Sequence, residues 1–337
     1  MFMNILFTCA GRRNYLLKYF REALNGRGKI YAADMSRTAP ALHEADESFA
    51  VPAVDDGAYI PALLELCKEN SVGWVISLND VELPILATHR AAFESIGTKL
   101  LVSSRQVVDI CFDKLKTAEF LNENGLFYPE TFIELPAALL ALQQGRVKFP
   151  LFVKPRWGSA SIQIFRVDTP KELELAFQLA QINLQKTFLK VDEKLASESI
   201  LIQQGLPGAE YGIDILNDLH GNVRSVYVKK KLAMRAGETD KSQLVDNPML
   251  QALGEKLGKL VKHIGNLDCD VFYDGKTATV LEMNPRFGGG YPFSHMLGAN
   301  YPKAIIDWFT DIESDTSLFT KDTGRVISKC DTLISLT

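Results

Sequence analysis

The chain has no Cys-x-x-Cys, and its five cysteines, Cys9, Cys67, Cys111, Cys269 and Cys330, are scattered. That pattern points away from a zinc cluster and from a disulfide framework, and it suits a reduced cytosol. Basic excess is also missing: 37 Lys and Arg stand against 41 Asp and Glu, so no nucleic-acid partner is expected. No apolar run reaches the length of a membrane span. The apolar start, Met1–Ala10, is too short and lacks the basic flank of a signal peptide. Two phosphate-binding signatures are absent as well. Thr8-Cys9-Ala10-Gly11-Arg12-Arg13 carries one glycine where a dinucleotide fingerprint needs three, and no Walker loop occurs. What is present is ordinary for a globular protein: 47% hydrophobic and 23% charged residues over 337 positions, enough for two or three lobes with their own cores.

Residues Asn4–Cys9, Lys29–Ala33, Trp74–Leu78 and Lys99–Val102 read as short strands, alternating with helical patterns such as Tyr15, Leu16, Tyr19, Phe20, Ala23 and Leu24. This β-α alternation predicts a parallel doubly wound sheet over residues 1–103. Asp34 ends the second strand, where a ribose-binding acid would sit, but the missing glycines weaken a nicotinamide reading. Arg12 and Arg13 either hold an anion at a helix start or lie solvated on the surface. Asn79, Asp80 and Glu82 follow a strand's C-terminal end and are read as substrate contacts or as helix caps.

The organising stretch is Val280–Gly290, Val-Leu-Glu-Met-Asn-Pro-Arg-Phe-Gly-Gly-Gly. Glu282 and Asn284 alternate with Leu281 and Met283, so a strand puts both polar oxygens on one face. A carboxylate and an amide oxygen two residues apart make a hard site suited to magnesium. Arg286 adds a fixed cation, and Gly288, Gly289 and Gly290 let backbone N–H groups approach an anion. Leu267–Tyr273 and Thr277–Met283 form a hairpin across Asp274-Gly275. Upstream, Lys154 sits inside the apolar strand Leu151–Pro155, where a lysine needs an anionic partner. A small polar loop, Arg156–Ser161, follows it. Lys114 opens a helix, against the dipole, which either a buried phosphate or an exposed side chain explains.

These features resemble the ATP-grasp superfamily, most of all the carbamoyl-phosphate synthase large subunit and its stand-alone relatives. The resemblance implies an α/β and α+β architecture: a Rossmann-like pre-ATP-grasp domain over 1–103, then an ATP-grasp fold of two α+β lobes over 104–310. The flap lobe would lie at about 150–204, and 311–337 would form a tail. Lys114, Lys154 and the flap residue Ser159 would meet the ATP phosphates. Gln203, Gln204 and Leu206 would read adenine, and Glu210 the ribose. Asp270, with Asp268 as the alternative register, would join Glu282 and Asn284 on Mg2+, with Mn2+ compatible. Arg235 and Arg286 would stand beside the transferred phosphoryl group. His295 is read either as a substrate contact or as a hydrogen-bonded structural residue.

The implied activity is an ATP-dependent carboxylate–amine or carboxylate–thiol ligase acting through an acyl-phosphate and releasing ADP and phosphate. Its partners would be a small-molecule carboxylate and amine, in the cytoplasm, and a homodimer is compatible with this. Competing readings are a carbamoyl- or carboxy-phosphate-forming enzyme, for which one grasp domain is too few, and a non-catalytic nucleotide-binding module, against which Lys154, Glu282, Asn284 and Arg286 are intact.

Overall fold

The computed structural model describes residues 3–158, 163–184 and 198–336. The N-terminal domain is a five-stranded parallel sheet built on β1 (Asn4–Thr8), β2 (Ile30–Asp34), β3 (Glu47–Ala50), β4 (Val72–Ser77) and β5 (Lys99–Leu100), in the order β3-β2-β1-β4-β5. Every residue of β1 is buried, as a central parallel strand covered on both faces requires. Helix α1 (Asn14–Leu24) covers one face through Leu16, Leu17, Phe20, Ala23 and Leu24. Helices α2 (Tyr59–Glu69), α3 (Leu83–Thr88) and α4 (Arg90–Ser95) complete the domain. The single helix expected over Glu82–Phe93 is thus two short ones, broken at His89. Strand order reverses between β1 and β4, so the loops after these strands open a crevice at the sheet's C-terminal edge. Those loops carry Gly11, Arg12 and Arg13 on one side, and Asn79 and Asp80 on the other.

Two capped helices lead onward. Ser104 accepts from the Val107 N–H to start α5 (Arg105–Phe112), and Asp113 accepts from Leu115 and Lys116 to start α6 (Lys114–Glu123). Next comes the small lobe, an antiparallel sheet of β6 (Thr131–Phe132), β7 (Leu151–Pro155), β8 (Phe165–Val167) and β9 (Ile200–Gln204), in the order β6-β9-β7-β8. It packs against α7 (Leu135–Gln143) and α8 (Pro170–Leu184) around Val153, Leu173, Phe177 and Ile202.

The large lobe is a six-stranded antiparallel sheet: β10 (Ala209–Asn217), β11 (Val223–Arg235), β12 (Glu238–Leu244), β13 (Gly265–Tyr273), β14 (Ala278–Asn284) and β15 (Val326–Ser328), in the order β14-β13-β10-β11-β12-β15. Helix α9 (Pro248–Val261), capped by Asn247, buries Leu250 and Leu257 against one face. The loop expected over Asp240–Asn247 is instead mostly β12. The C-terminal segment also departs from a free tail, since β15 pairs with β12 at the sheet edge. Helices α10 (Tyr291–Met296) and α11 (Tyr301–Phe309) pack toward the N-terminal domain. One apolar core runs from Phe7 and Phe20 through Phe287, Tyr291 and Tyr301 to Ile305, and Trp74 stacks on Phe309 at 3.7 Å. The N-terminal domain is therefore fused to the large lobe by burial.

Candidate functional site

A cleft of about 320 Å3 lies where the small lobe, the large sheet and the N-terminal domain meet. One wall comes from the hairpin of β13 and β14. Its register sets Asp270 opposite Glu282 and Asp268 opposite Asn284, which is the expected alternation, and three of these positions serve as candidate metal donors. Asp270 is bonded by Lys231 Nζ at 2.6 Å, and the same ammonium reaches Glu210 at 2.6 Å. Burial pushes the Asp270 carboxyl up to about 6; Lys231 opposes that shift, and Asp268, Glu210 and Glu282 add to it. One lysine thus faces several crowded carboxylates, and a divalent cation bound by hard oxygens would relieve the excess. Among the described residues no group of three or more His, Cys, Asp or Glu that could hold a metal ion is found, and the Asn284 side chain lies across the hairpin from Asp268.

Lys154 projects from β7 into the same cleft and is buried. Burial, joined by the nearby Lys114 ammonium, lowers it to about 8, while Glu282 and Asp270 pull the other way. Among the described residues it meets no carboxylate at ion-pairing distance. Lys114, in the first turn of α6, is also buried and donates to the Gly158 carbonyl. The exposed-side-chain reading of that lysine is therefore excluded. Ser159 lies outside the described residues.

The segment expected to read adenine lies where β9 runs into β10. Gln203 is buried, donates from Nε2 to Thr131 Oγ1 at 2.9 Å, and keeps Oε1 without a partner. A buried acceptor facing a cleft suits an exocyclic amine. The Gln204 N–H is already donated to the Glu130 carbonyl at 3.0 Å, so the backbone group that residue can turn to a purine is its carbonyl. Leu206 and Glu210 also line the cleft.

Arg286 is buried between Asp80, with its closest contact at 2.7 Å, and Asp268 at 3.0 Å. Both carboxylates favour its charged form despite the cost of burial. Asp80 is therefore the partner of a cleft arginine, which neither the substrate-contact nor the cap reading of it foresaw. A Cβ on Gly288 would come within 2.0 Å of the Asp268 carboxylate that holds Arg286, whereas one on Gly289 would meet the movable carboxylate of exposed Glu238 at 2.9 Å.

Arg235 is not brought into this assembly. β11 runs on past Lys231, and its end emerges into solvent, where Arg235 pairs with Asp240 at 3.0 Å and Asp331 at 2.8 Å. Asp34 accepts from the Gly11 and Ser36 N–H groups, closing the loop after β1. His295 stacks on Tyr19 at 3.7 Å and bonds the Tyr291 hydroxyl at 3.0 Å; burial lowers its pKa to about 4, so it is a neutral structural ring. Among the cleft residues, Lys229 and Lys231 sat in a basic run that reads in sequence as a solvated face, and Glu238 was given no role. Arg13, read with Arg12 as an anion holder or a solvated arginine, lines the cleft. Period-two alternation puts Lys229 and Lys231 on one face of a strand, and nothing local marked Glu238.

Residues 196–330 match the family described as ATP-grasp in the biosynthetic pathway with Ter operon, and residues 5–101 match the PylC-like N-terminal domain. A D-alanine–D-alanine ligase of Corynebacterium aurimucosum is 28% identical over 167 residues, 47% of this chain and 43% of the relative. The arginine-specific carbamoyl phosphate synthase large chain of Bacillus subtilis is 22% identical over 203 residues, 58% of this chain and 18% of the relative. The matches thus span less than half the length of either curated relative. A biotin carboxylase from Campylobacter jejuni, solved as a β-γ-ATP complex, shares the fold at TM-score 0.74 and 16% identity, over 94% of this chain and 73% of that one. With a parallel N-terminal sheet, two antiparallel lobes and these matches together, the chain has the ATP-grasp fold, matches an ATP-grasp family over residues 196–330, and is similar to the carbamoyl-phosphate synthase large subunit.

Proposed function

We propose that the protein is an ATP-dependent carboxylate–amine ligase working through an acyl-phosphate. The observation that carries this reading is the gathering in one cleft of two buried lysines, an arginine whose side chain is largely covered and an oxygen-rich hairpin wall. Gln203 and the backbone carbonyl of Gln204 hold the purine, and Glu210 accepts from the ribose. Lys114 and Lys154 draw the phosphate chain inward; Lys154 gains from an anion because its own charge is otherwise uncompensated. Asp270, Glu282 and Asn284 would hold magnesium, which when bound neutralises charge on the phosphate oxygens.

Arg286, fixed by Asp80 and Asp268, and the N–H groups of the glycine turn stabilise the terminal phosphoryl group and the later tetrahedral oxyanion. A carboxylate oxygen forms a bond to the terminal phosphorus as the bond to the ADP oxygen breaks. An amine nitrogen then bonds to the acyl carbon, phosphate leaves with the electron pair of the broken C–O bond, and the amine proton passes to solvent. Charge compensation is aimed at the far end of the phosphate chain, so cleavage gives ADP and phosphate. Phosphorus NMR with an 18O-labelled carboxylate tests this: one labelled oxygen should move into phosphate. Pyrophosphate among the products would overturn it.

A further inference from the structure

At the glycine end of the cleft, charges from three separate parts of the chain share one corner. Arg13 enters from the loop after β1, Glu238 from β12, and Arg286 from beyond β14. The partly buried Tyr15 is within electrostatic reach of all three, and Glu238 feels both arginines.

The cations in this corner are not equivalent. Arg286 is neutralised by Asp80 and Asp268, and Lys229 by Asp214. Arg13 donates to the Phe287 carbonyl, and among the described residues it meets no carboxylate at ion-pairing distance. A carbonyl fixes the guanidinium without cancelling its charge, as a fork held for an incoming carboxylate would be. Glu238 supplies the opposite sign. Its carboxylate lies over Gly289, and its ion pair is with Lys329, 3.0 Å away beyond β15. Although burial pushes its pKa up, Lys329 and the two arginines hold it below the usual carboxylate range. It is a standing anion, suited to accept from an amine and too acidic to serve as a base.

We propose that Arg13 and Glu238 form the subsite for the amine-bearing substrate, and that this substrate is an α-amino acid, its carboxylate on Arg13 and its amine against Glu238. The assignment rests on the ligase reading and adds the class of the nucleophile to it. Lys329 is the ammonium that occupies Glu238 until the amino acid arrives.

The test is ADP release from MgATP with the common L-amino acids, singly and in pairs, each beside its decarboxylated amine. The amino acid should serve, and the amine lacking the carboxylate should fall at least about tenfold behind it. Arg13→Ala should raise KM for the amino acid about tenfold or more, with ATP affinity by calorimetry held within about twofold as the check on folding. Arg13→Lys should restore part of the loss, and Glu238→Gln should raise the same KM. Equal use of amino acid and decarboxylated amine, or an unmoved amino-acid KM in Arg13→Ala, would overturn the subsite. ADP release driven only by a thiol such as cysteamine would sink the subsite and leave an ATP-dependent ligase. ATP binding with no ADP release on any pair would remove both.

Discussion

Lys229 and Lys231 stand two residues apart on β11 and point to the same face of the sheet, yet their surroundings differ in kind. Lys229 pairs with Asp214, which also accepts from Ser294 and from Asn266 at 3.2 Å; the lysine donates again to the Gly290 carbonyl at 3.1 Å. Both charges are buried and matched. Lys231 instead bridges Glu210 and Asp270, with Asp268 and Glu282 near enough to raise the Asp270 proton affinity. The closed network locks β10, β11, β13 and α10 together. In the crowded one a single ammonium is shared by two carboxylates, and their neighbours still hold the Asp270 carboxyl up to about 6. A polar cluster that balances itself is architecture, and one left with a surplus marks where a ligand of opposite charge belongs.

The comparison can be broken most sharply by removing Asp214. Asp214→Ala strands a buried ammonium and should cost about 3–5 kcal/mol in urea denaturation; a loss under about 1 kcal/mol would mean that the network is not architectural. Glu282→Ala should leave stability within about 1 kcal/mol and lower ADP-forming turnover about a hundredfold or more. Near-normal turnover in that variant would end the metal assignment.

Lys154→Met keeps the apolar stem and should weaken ATP binding about tenfold or more. The same lysine predicts a pH dependence. Its pKa is lowered to about 8 in the free protein, and ATP favours its charged form. ATP affinity should therefore fall as pH rises through 8, with proton uptake on binding visible as a buffer-dependent calorimetric enthalpy. Affinity flat from pH 7 to about 9 would place Lys154 away from the phosphates.

The smallest effect is the most discriminating. The Asp270 pKa is raised to about 6, so in the metal-free protein its contribution to stability is present below the ordinary carboxylate pKa and lost as pH rises through 6. Asp270→Asn removes that loss while Lys231 keeps Glu210. At pH 7 the metal-free variant should match or exceed the parent by about 1 kcal/mol, the two curves converging below about pH 4. A clear loss of stability would put Lys231 in the same class as Lys229.

Much of the site was legible because it is local. The Glu-x-Asn alternation, the Asp274-Gly275 turn and a lysine inside an apolar strand are short-range facts, and the turn places Asp270 near Glu282 with Asp268 as the alternative register, an ambiguity that the pairing of Asp270 with Glu282 resolves. The parallel N-terminal sheet was legible for the same reason. Long-range facts were not. Asp80 and Arg286 are 206 positions apart, and nothing near either announces the other. Glu-Thr-Asp-Lys-Ser-Gln-Leu in β12 has little strand propensity and is held in the sheet by β11 and β15 on either side. Arg235 was misplaced because the length of β11, which carries its end out of the cleft, depends on that pairing.

The ion pair between Asp80 and Arg286 has one more consequence, for how the chain can be divided. In sequence, the boundary near residue 103 looks like a clean joint between modules. In charge it is not, because the cleft arginine is half-neutralised by a carboxylate from the other side of that joint. A fragment beginning after the joint would carry Arg286 with Asp268 alone, and a transplanted N-terminal module lacking an acid at position 80 would leave the same deficit. The two modules have to be inherited, exchanged or engineered as one piece.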